Sequence, residues 1–213
     1  MGLRRLRCNR LAAAALALAA LAVLAPLAGA QPAAQDSVYA ERYAATCAAC
    51  HGAQGVSALP LTPSLAGQPS FYAITQLFLF RDGRRDNPLM TALAKGMSDD
   101  DLRGFSDLIG SLPAAAAAAG AHAPADLQRL ARGAGLSQRL HCSGCHGATL
   151  AGGRQVPRLA GQREDYLQLA LRGFRAGKRV GYTPAMSEAL AGVAADDLDD
   201  LAHYLAHAAP AAP

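Results

Sequence analysis

The sequence predicts an all-α protein made of two tandem copies of one small domain, following a short export leader. Three observations carry that prediction. The pentapeptide Cys47-Ala48-Ala49-Cys50-His51 returns as Cys142-Ser143-Gly144-Cys145-His146, and further matched segments follow each copy in the same order. Apolar residues recur at helical spacing, while no stretch sustains the two-residue alternation of a half-buried strand. The first thirty residues have the basic start, apolar run and small-residue end of a signal peptide.

In the leader, Arg4, Arg5, Arg7 and Arg10 precede an apolar run over 11–25, and Ala28-Gly29-Ala30 offers a cleavage site before Gln31. The run is short of the roughly 20 residues that a membrane span needs. Cys8 lies before the run and leaves with it, so the four remaining cysteines all belong to the pentapeptides and none is left for a disulfide. Four of the 20 basic residues also leave, so the mature chain has 16 basic and 16 acidic residues. That balance removes the case for nucleic-acid binding. The charge is uneven along the chain, with six basic and eight acidic residues in 31–112 and ten and eight in 126–213.

The N-terminal domain is expected at 31–112. A helix over about 38–49 runs into the first pentapeptide, and an apolar helix over 70–81 stops near Gly83. Ser98 is placed to cap a last helix whose first turn holds Asp99, Asp100 and Asp101. Leu102, Phe105, Leu108 and Ile109 then form one apolar face. Residues 113–125, PAAAAAAGAHAPA, read as a linker because prolines at both ends and a central glycine oppose a helix. The C-terminal domain, 126–213, repeats the pattern with a helix over 164–175 stopping near Gly177, and with Leu198, Leu201, Tyr204 and Leu205 on its last helix. Each copy is small enough that an apolar core alone gives marginal stability, so a buried cofactor should complete it and the apoprotein should fold poorly.

The duplication extends past the cysteines. Pro63-Ser64-Leu65-Ala66-Gly67-Gln68 matches Pro157-Arg158-Leu159-Ala160-Gly161-Gln162, and Tyr72 matches Tyr166. Phe80-Arg81-Asp82-Gly83-Arg84-Arg85 matches Phe174-Arg175-Ala176-Gly177-Lys178-Arg179, and Asn87-Pro88-Leu89-Met90 matches Thr183-Pro184-Ala185-Met186. Shared order and near-constant spacing mark an internal duplication.

Two cysteines separated by two residues can reach both vinyl groups of one haem and form thioethers, with the next histidine placed to bind the iron. Cys47, Cys50 and His51 therefore form one candidate site for covalent haem c, and Cys142, Cys145 and His146 another. A zinc half-site or a thiol redox pair is the alternative for any single Cys-x-x-Cys. Neither requires a histidine directly after both pairs, and the pairs lie too far apart for a zinc ribbon. For the second axial position the candidates are Met90, Met97 and Met186, or histidines 122, 141, 203 and 207. Met90 and Met186 occupy matched positions, each two residues after a proline, whereas Met97 matches Val193 and reads as a core residue. None of the four histidines has a histidine at its matching position. His203 and His207, four apart on the last helix, read as exposed helix-end residues with metal binding as the alternative. Met90 and Met186 are thus the expected distal ligands, and thioether ligation raises the potential and closes the iron.

Cys-x-x-Cys-His, then Pro-x-Leu, then a methionine before a final helix is the order of class I cytochromes c, which the chain resembles. The duplicated form, with Leu-Ala-Gly-Gln and a Phe-Arg-x-Gly-x-Arg stretch in each copy, is similar to dihaem cytochrome c4 over nearly all of the mature chain. The resemblance implies two tandem class I cytochrome c domains, with the carbonyl of Pro63 accepting from His51 and that of Pro157 from His146. It implies a periplasmic electron carrier, in many members loosely membrane-associated, whose redox partner proteins are a respiratory donor and a terminal oxidase or reductase; the sequence leaves membrane attachment and oligomeric state open, with a monomer favoured. Arg81, Arg85, Arg175 and Arg179 either neutralise haem propionates or form a solvated basic helix end. Three functions compete: a mobile dihaem carrier, the cytochrome subunit of a dehydrogenase such as flavocytochrome c sulfide dehydrogenase, and a dihaem peroxidase. Peroxidases of that kind are larger and less symmetric, and Met90 and Met186 would close both irons, so no catalytic residue is assigned.

Overall fold

Each half of the chain builds the same sequence of helices from the same local signals. The computed structural model describes residues 32–116, 121–180 and 184–209, and the leader expected at 1–30 lies outside them. In the first half, α1 (Pro32–Thr46) leads into the one-turn α2 (Ala48–His51), followed by α3 (Ser70–Arg81), α4 (Pro88–Ala94) and α5 (Asp99–Ser111). The second half follows with α6 (Leu127–Arg139), α7 (Cys142–His146), α8 (Glu164–Arg175), α9 (Ala185–Leu190) and α10 (Ala195–His207). Among the described residues the only extended pairing is an isolated bridge between Gly153 and Val156, so the fold is all-α. No helix among them is long and apolar enough to cross a membrane.

The helix ends follow capping chemistry. Ser98 accepts from the Asp101 amide at 3.1 Å, while Asp101 accepts from the Ser98 amide at 2.9 Å, a reciprocal capping box that starts α5. Asp101 also takes an ion pair from Arg42, which ties α5 to α1. Asp126 starts α6 by accepting from the amides of Gln128 and Arg129 at 2.9 and 3.1 Å. Helices α3 and α8 end where Gly83 and Gly177 adopt positive φ of 68° and 66°, a conformation open to glycine at little cost.

Each half closes its first helix against its last. The first core joins Tyr43 on α1, Ala73 and Leu77 on α3, and Leu102, Phe105 and Ile109 on α5. The second joins Leu136 on α6, Leu167 and Leu171 on α8, and Leu198, Leu201 and Leu205 on α10. A side chain at Gly104 on α5 would meet the Tyr39 ring at 2.0 Å. In the second half the close approach falls on the other partner, since a Cβ at Gly133 on α6 would lie 2.3 Å from the Asp200 carbonyl oxygen on α10.

Candidate haem sites and the contact between the halves

The first pentapeptide places its cysteines around the break between α1 and α2. Cys47 occupies the N-cap of α2, and His51 ends that helix with 8% exposure. His51 Nδ1 lies 2.9 Å from the Pro63 carbonyl oxygen, which can only accept, so this nitrogen carries the proton and Nε2 keeps its lone pair. Burial, partly offset by that hydrogen bond, also holds the imidazole below its ordinary pKa and hence neutral. The second half repeats the arrangement: His146, 6% exposed, has Nδ1 2.9 Å from the Pro157 carbonyl oxygen. Fixing one ring nitrogen in this way orients the other toward a metal.

A cavity of about 300 Å³ opens beside His51, and Met90, Leu77 and Ile109 line it from the same half. The Met90 amide is held by the Asn87 side chain at 2.9 Å, which starts α4 and sets the methionine's place on its first turn. Met97 packs against the first core, and its carbonyl accepts from Arg81. Met186, on the first turn of α9, packs against the second core; the Thr183 expected to match Asn87 lies outside the described residues.

The chemistry of these donors fits covalent haem better than a thiol redox pair. A redox Cys-x-x-Cys lowers the pKa of one thiol. Here burial pushes the Cys47 thiol up to about 11 and also raises Cys142. The four described cysteines form no disulfide. Each site therefore offers two thiols, a neutral imidazole with a fixed tautomer and, in the first half, an apolar cavity with a thioether in its wall.

The four arginines divide into two kinds. Arg81 donates to the Met97 carbonyl at 3.1 Å and pairs with Asp99 at 2.8 Å, and Arg175 donates to the matching Val193 carbonyl at 2.9 Å. These two pin the turn before the last helix of each half. Arg85 and Arg179 line the cavity instead, with their guanidinium groups over Phe80 and Phe174 at 4.4 and 4.6 Å. Arg85 also donates to Gln76 at 2.6 Å and to the Tyr166 hydroxyl of the other half at 2.9 Å. Burial pushes the Tyr166 phenol up, but the charges of Arg85 and Arg179 outweigh this and bring it down to about 8. Two guanidinium groups thus face the cavity from the two halves.

The two Leu-Ala-Gly-Gln segments do a task the sequence reading did not assign. Gln68 donates to the Arg158 carbonyl at 2.9 Å and accepts from the Arg158 amide at 3.1 Å. Gln162 donates to the Ser64 carbonyl at 2.9 Å and accepts from the Ser64 amide at 2.8 Å. Ser64 and Arg158 are matched positions, each next to the proline that holds a haem histidine, so the clasp is reciprocal. The Arg158 guanidinium, 2% exposed, donates to the carbonyls of Ala66, Ala160 and Ala115. The matched glutamines in both copies were the available signal.

His203 corrects the sequence reading. It was expected at an exposed helix end but is fully buried at 0% exposure, because α10 packs its C-terminal turns against α6 and α8. His207 is half-buried beside it, and His141 is the exposed N-cap of α7.

The comparisons agree with this geometry. The family model described as Cytochrome c matches residues 130–209, and one described as Cytochrome C oxidase, cbb3-type, subunit III matches residues 34–107. Cytochrome c4 of Pseudomonas aeruginosa is 33% identical, over 84% of this chain and 92% of its own. The thiosulfate dehydrogenase electron acceptor of Stutzerimonas stutzeri is 34% identical, over 84% of this chain and 82% of its own. The crystal structure of reduced recombinant cytochrome c4 from Pseudomonas stutzeri superposes with a TM-score of 0.72 at 27% identity, covering 81% of this chain and 98% of that one. With two cytochrome c domains, each carrying a covalent haem c, the chain belongs to the dihaem cytochrome c4 family of electron-transfer proteins.

Proposed function

We propose that the protein is a periplasmic carrier of single electrons between a respiratory donor and a terminal oxidase or other acceptor. When bound, each haem c supplies a reversible one-electron couple. In this reading Cys47 and Cys50 attach one haem and Cys142 and Cys145 the other. His51 and Met90 ligate the first iron, His146 and Met186 the second, and closed irons leave no position for a substrate. The observation that carries the proposal is the cavity beside His51, which has Met90 in its wall and Arg85 and Arg179 in place for carboxylates such as the propionates. Pro63 and Pro157 hold the two imidazoles, and the Gln68 and Gln162 clasps hold the two proline segments in fixed relation. Unequal charge in the two halves offers each end a different partner surface.

A dedicated acceptor for one dehydrogenase is the second reading, favoured by the likeness to a thiosulfate dehydrogenase electron acceptor. Stopped-flow mixing of the dihaem protein with oxidase-containing membranes and with purified dehydrogenase separates the two. The carrier reading expects rapid, salt-sensitive oxidation by the membranes and release from the dehydrogenase on gel filtration. Stable co-purification with a dehydrogenase and no oxidation by membranes would favour the acceptor reading.

A further inference from the structure

Each haem histidine rests on a peptide group whose other end is held by the opposite half of the chain. The Pro63 carbonyl, which accepts from His51 Nδ1 at 2.9 Å, belongs to the same planar peptide unit as the Ser64 amide. That amide donates to Gln162 Oε1 of the second half at 2.8 Å. The reverse holds across the contact. The Pro157 carbonyl accepts from His146 Nδ1 at 2.9 Å, and the Arg158 amide of that peptide unit donates to Gln68 Oε1 of the first half at 3.1 Å. Each glutamine faces one backbone donor and one backbone acceptor, which fixes the orientation of its side-chain amide. Gln162 Oε1 also accepts from the Arg163 amide at 2.9 Å.

This chain of bonds has an electronic consequence. A peptide unit is conjugated from nitrogen to oxygen, so an acceptor at its N–H raises the negative charge on its carbonyl oxygen. The oxygen then accepts more strongly from Nδ1–H, and the imidazole becomes a more basic ligand through Nε2. Ser64, Gln68, Arg158 and Gln162 are all buried, so bulk water does not stand in for the glutamines. A purely mechanical clasp could grip any residue of these loops. Both glutamines instead grip the one residue whose N–H is conjugated to the histidine's acceptor.

We propose that Gln162 tunes the potential of the first haem through His51, and Gln68 that of the second through His146, each acting from the opposite half. The inference rests on the reading that these two histidines ligate the irons. A more basic histidine stabilises the oxidised iron, so each glutamine lowers the potential of the haem across the contact. Both are positioning residues, since they act through a histidine. Loosening the contact between the halves has the opposite sign: water admitted to the cavity beside His51 favours the oxidised, more highly charged iron and lowers the potential. Loss of a glutamine's polarising bond raises it.

The test follows the haem-methyl NMR signals of the dihaem protein through stepwise reduction, with each haem assigned by its contacts to Cys47 or Cys142. Gln162→Leu should raise the potential of the first haem and Gln68→Leu that of the second, with the other haem shifted less. The expected size is on the order of a threefold change in the reduction equilibrium, about 28 mV at 59 mV per tenfold. In the reduced protein the Nδ1 proton signal of the affected histidine should move upfield, as a weakened hydrogen bond requires. Gln162→Asn, which keeps an amide but falls short of both backbone groups, should shift the first haem the same way by less, and repeats the test if the leucine variant does not assemble. A potential that falls, stays unchanged or moves equally at both haems overturns the inference while leaving the ligand assignment standing. A parent protein without histidine ligation overturns both.

Discussion

Asp101 shows how much one side chain does in the first domain. It completes the cap of α5 with Ser98 and receives Arg42 from α1, and Arg42 together with the Ser98 amide holds its carboxyl at about 2. Because the folded value lies below the ordinary one, the stability it gives is full above pH 3.8 and fades as pH falls towards 2. Asp101→Asn should cost about 1 kcal/mol at neutral pH, as lost caps do, and screening of the ion pair limits any excess. Urea unfolding followed by circular dichroism should show the gap between parent and variant closing as pH is lowered through that window. The Ser98 cap was legible because serine before three aspartates has one physical use. The burial of His203 was not, since its position on the helix gives no sign that Asp126 and Glu164 close over it. Met90 stood out only through its match with Met186, since Met90 and Met97 both pack against the first core.

At the scale of elements, α3 and α8 were legible to the residue, because each apolar run ends one residue before a turn closed by glycine. Helix α6 was not. Gly133 and Gly135 lower its intrinsic helix propensity, and its sequence has diverged from that of α1. The reason for Gly133 lies on the other helix, where the backbone of Asp200 leaves no room for a side chain. The first half meets the same crowding with Gly104 on its last helix. An alanine would favour an isolated helix but forces α6 and α10 apart. Gly133→Ala is therefore expected to destabilise the holoprotein by about 1–3 kcal/mol, as overpacking does, and thermal unfolding reads it as a lowered midpoint. A midpoint raised by the better helix former would show that the crossing is looser than this packing implies.

For the whole molecule, duplication has produced two similar domains joined by a contact that reuses the repeat. The Leu-Ala-Gly-Gln segments were visible in the sequence as matched text, but their pairing across the halves depends on three-dimensional proximity that no local signal encodes. Each glutamine satisfies both backbone groups of a buried residue in the other half. Gln68→Ala would leave the Arg158 amide and carbonyl without these partners, at about 1–3 kcal/mol for each group left unsatisfied. Denaturant unfolding monitored separately at each haem should then show the two halves losing their common transition. The arginines illustrate the same limit: four similar residues in a matched motif divide into Arg81 and Arg175, which brace the chain, and Arg85 and Arg179, which line the cavity.

The proposed electron transfer rests on two closed haem sites, each with one histidine and one methionine on the iron. Spectroelectrochemical titration of the purified dihaem protein tests this most directly, because it reports haem number, ligation and both potentials together. Two one-electron steps with low-spin histidine–methionine spectra at both sites are expected. High-spin iron at either site in the oxidised resting protein, or a bis-histidine signature at either, would contradict it.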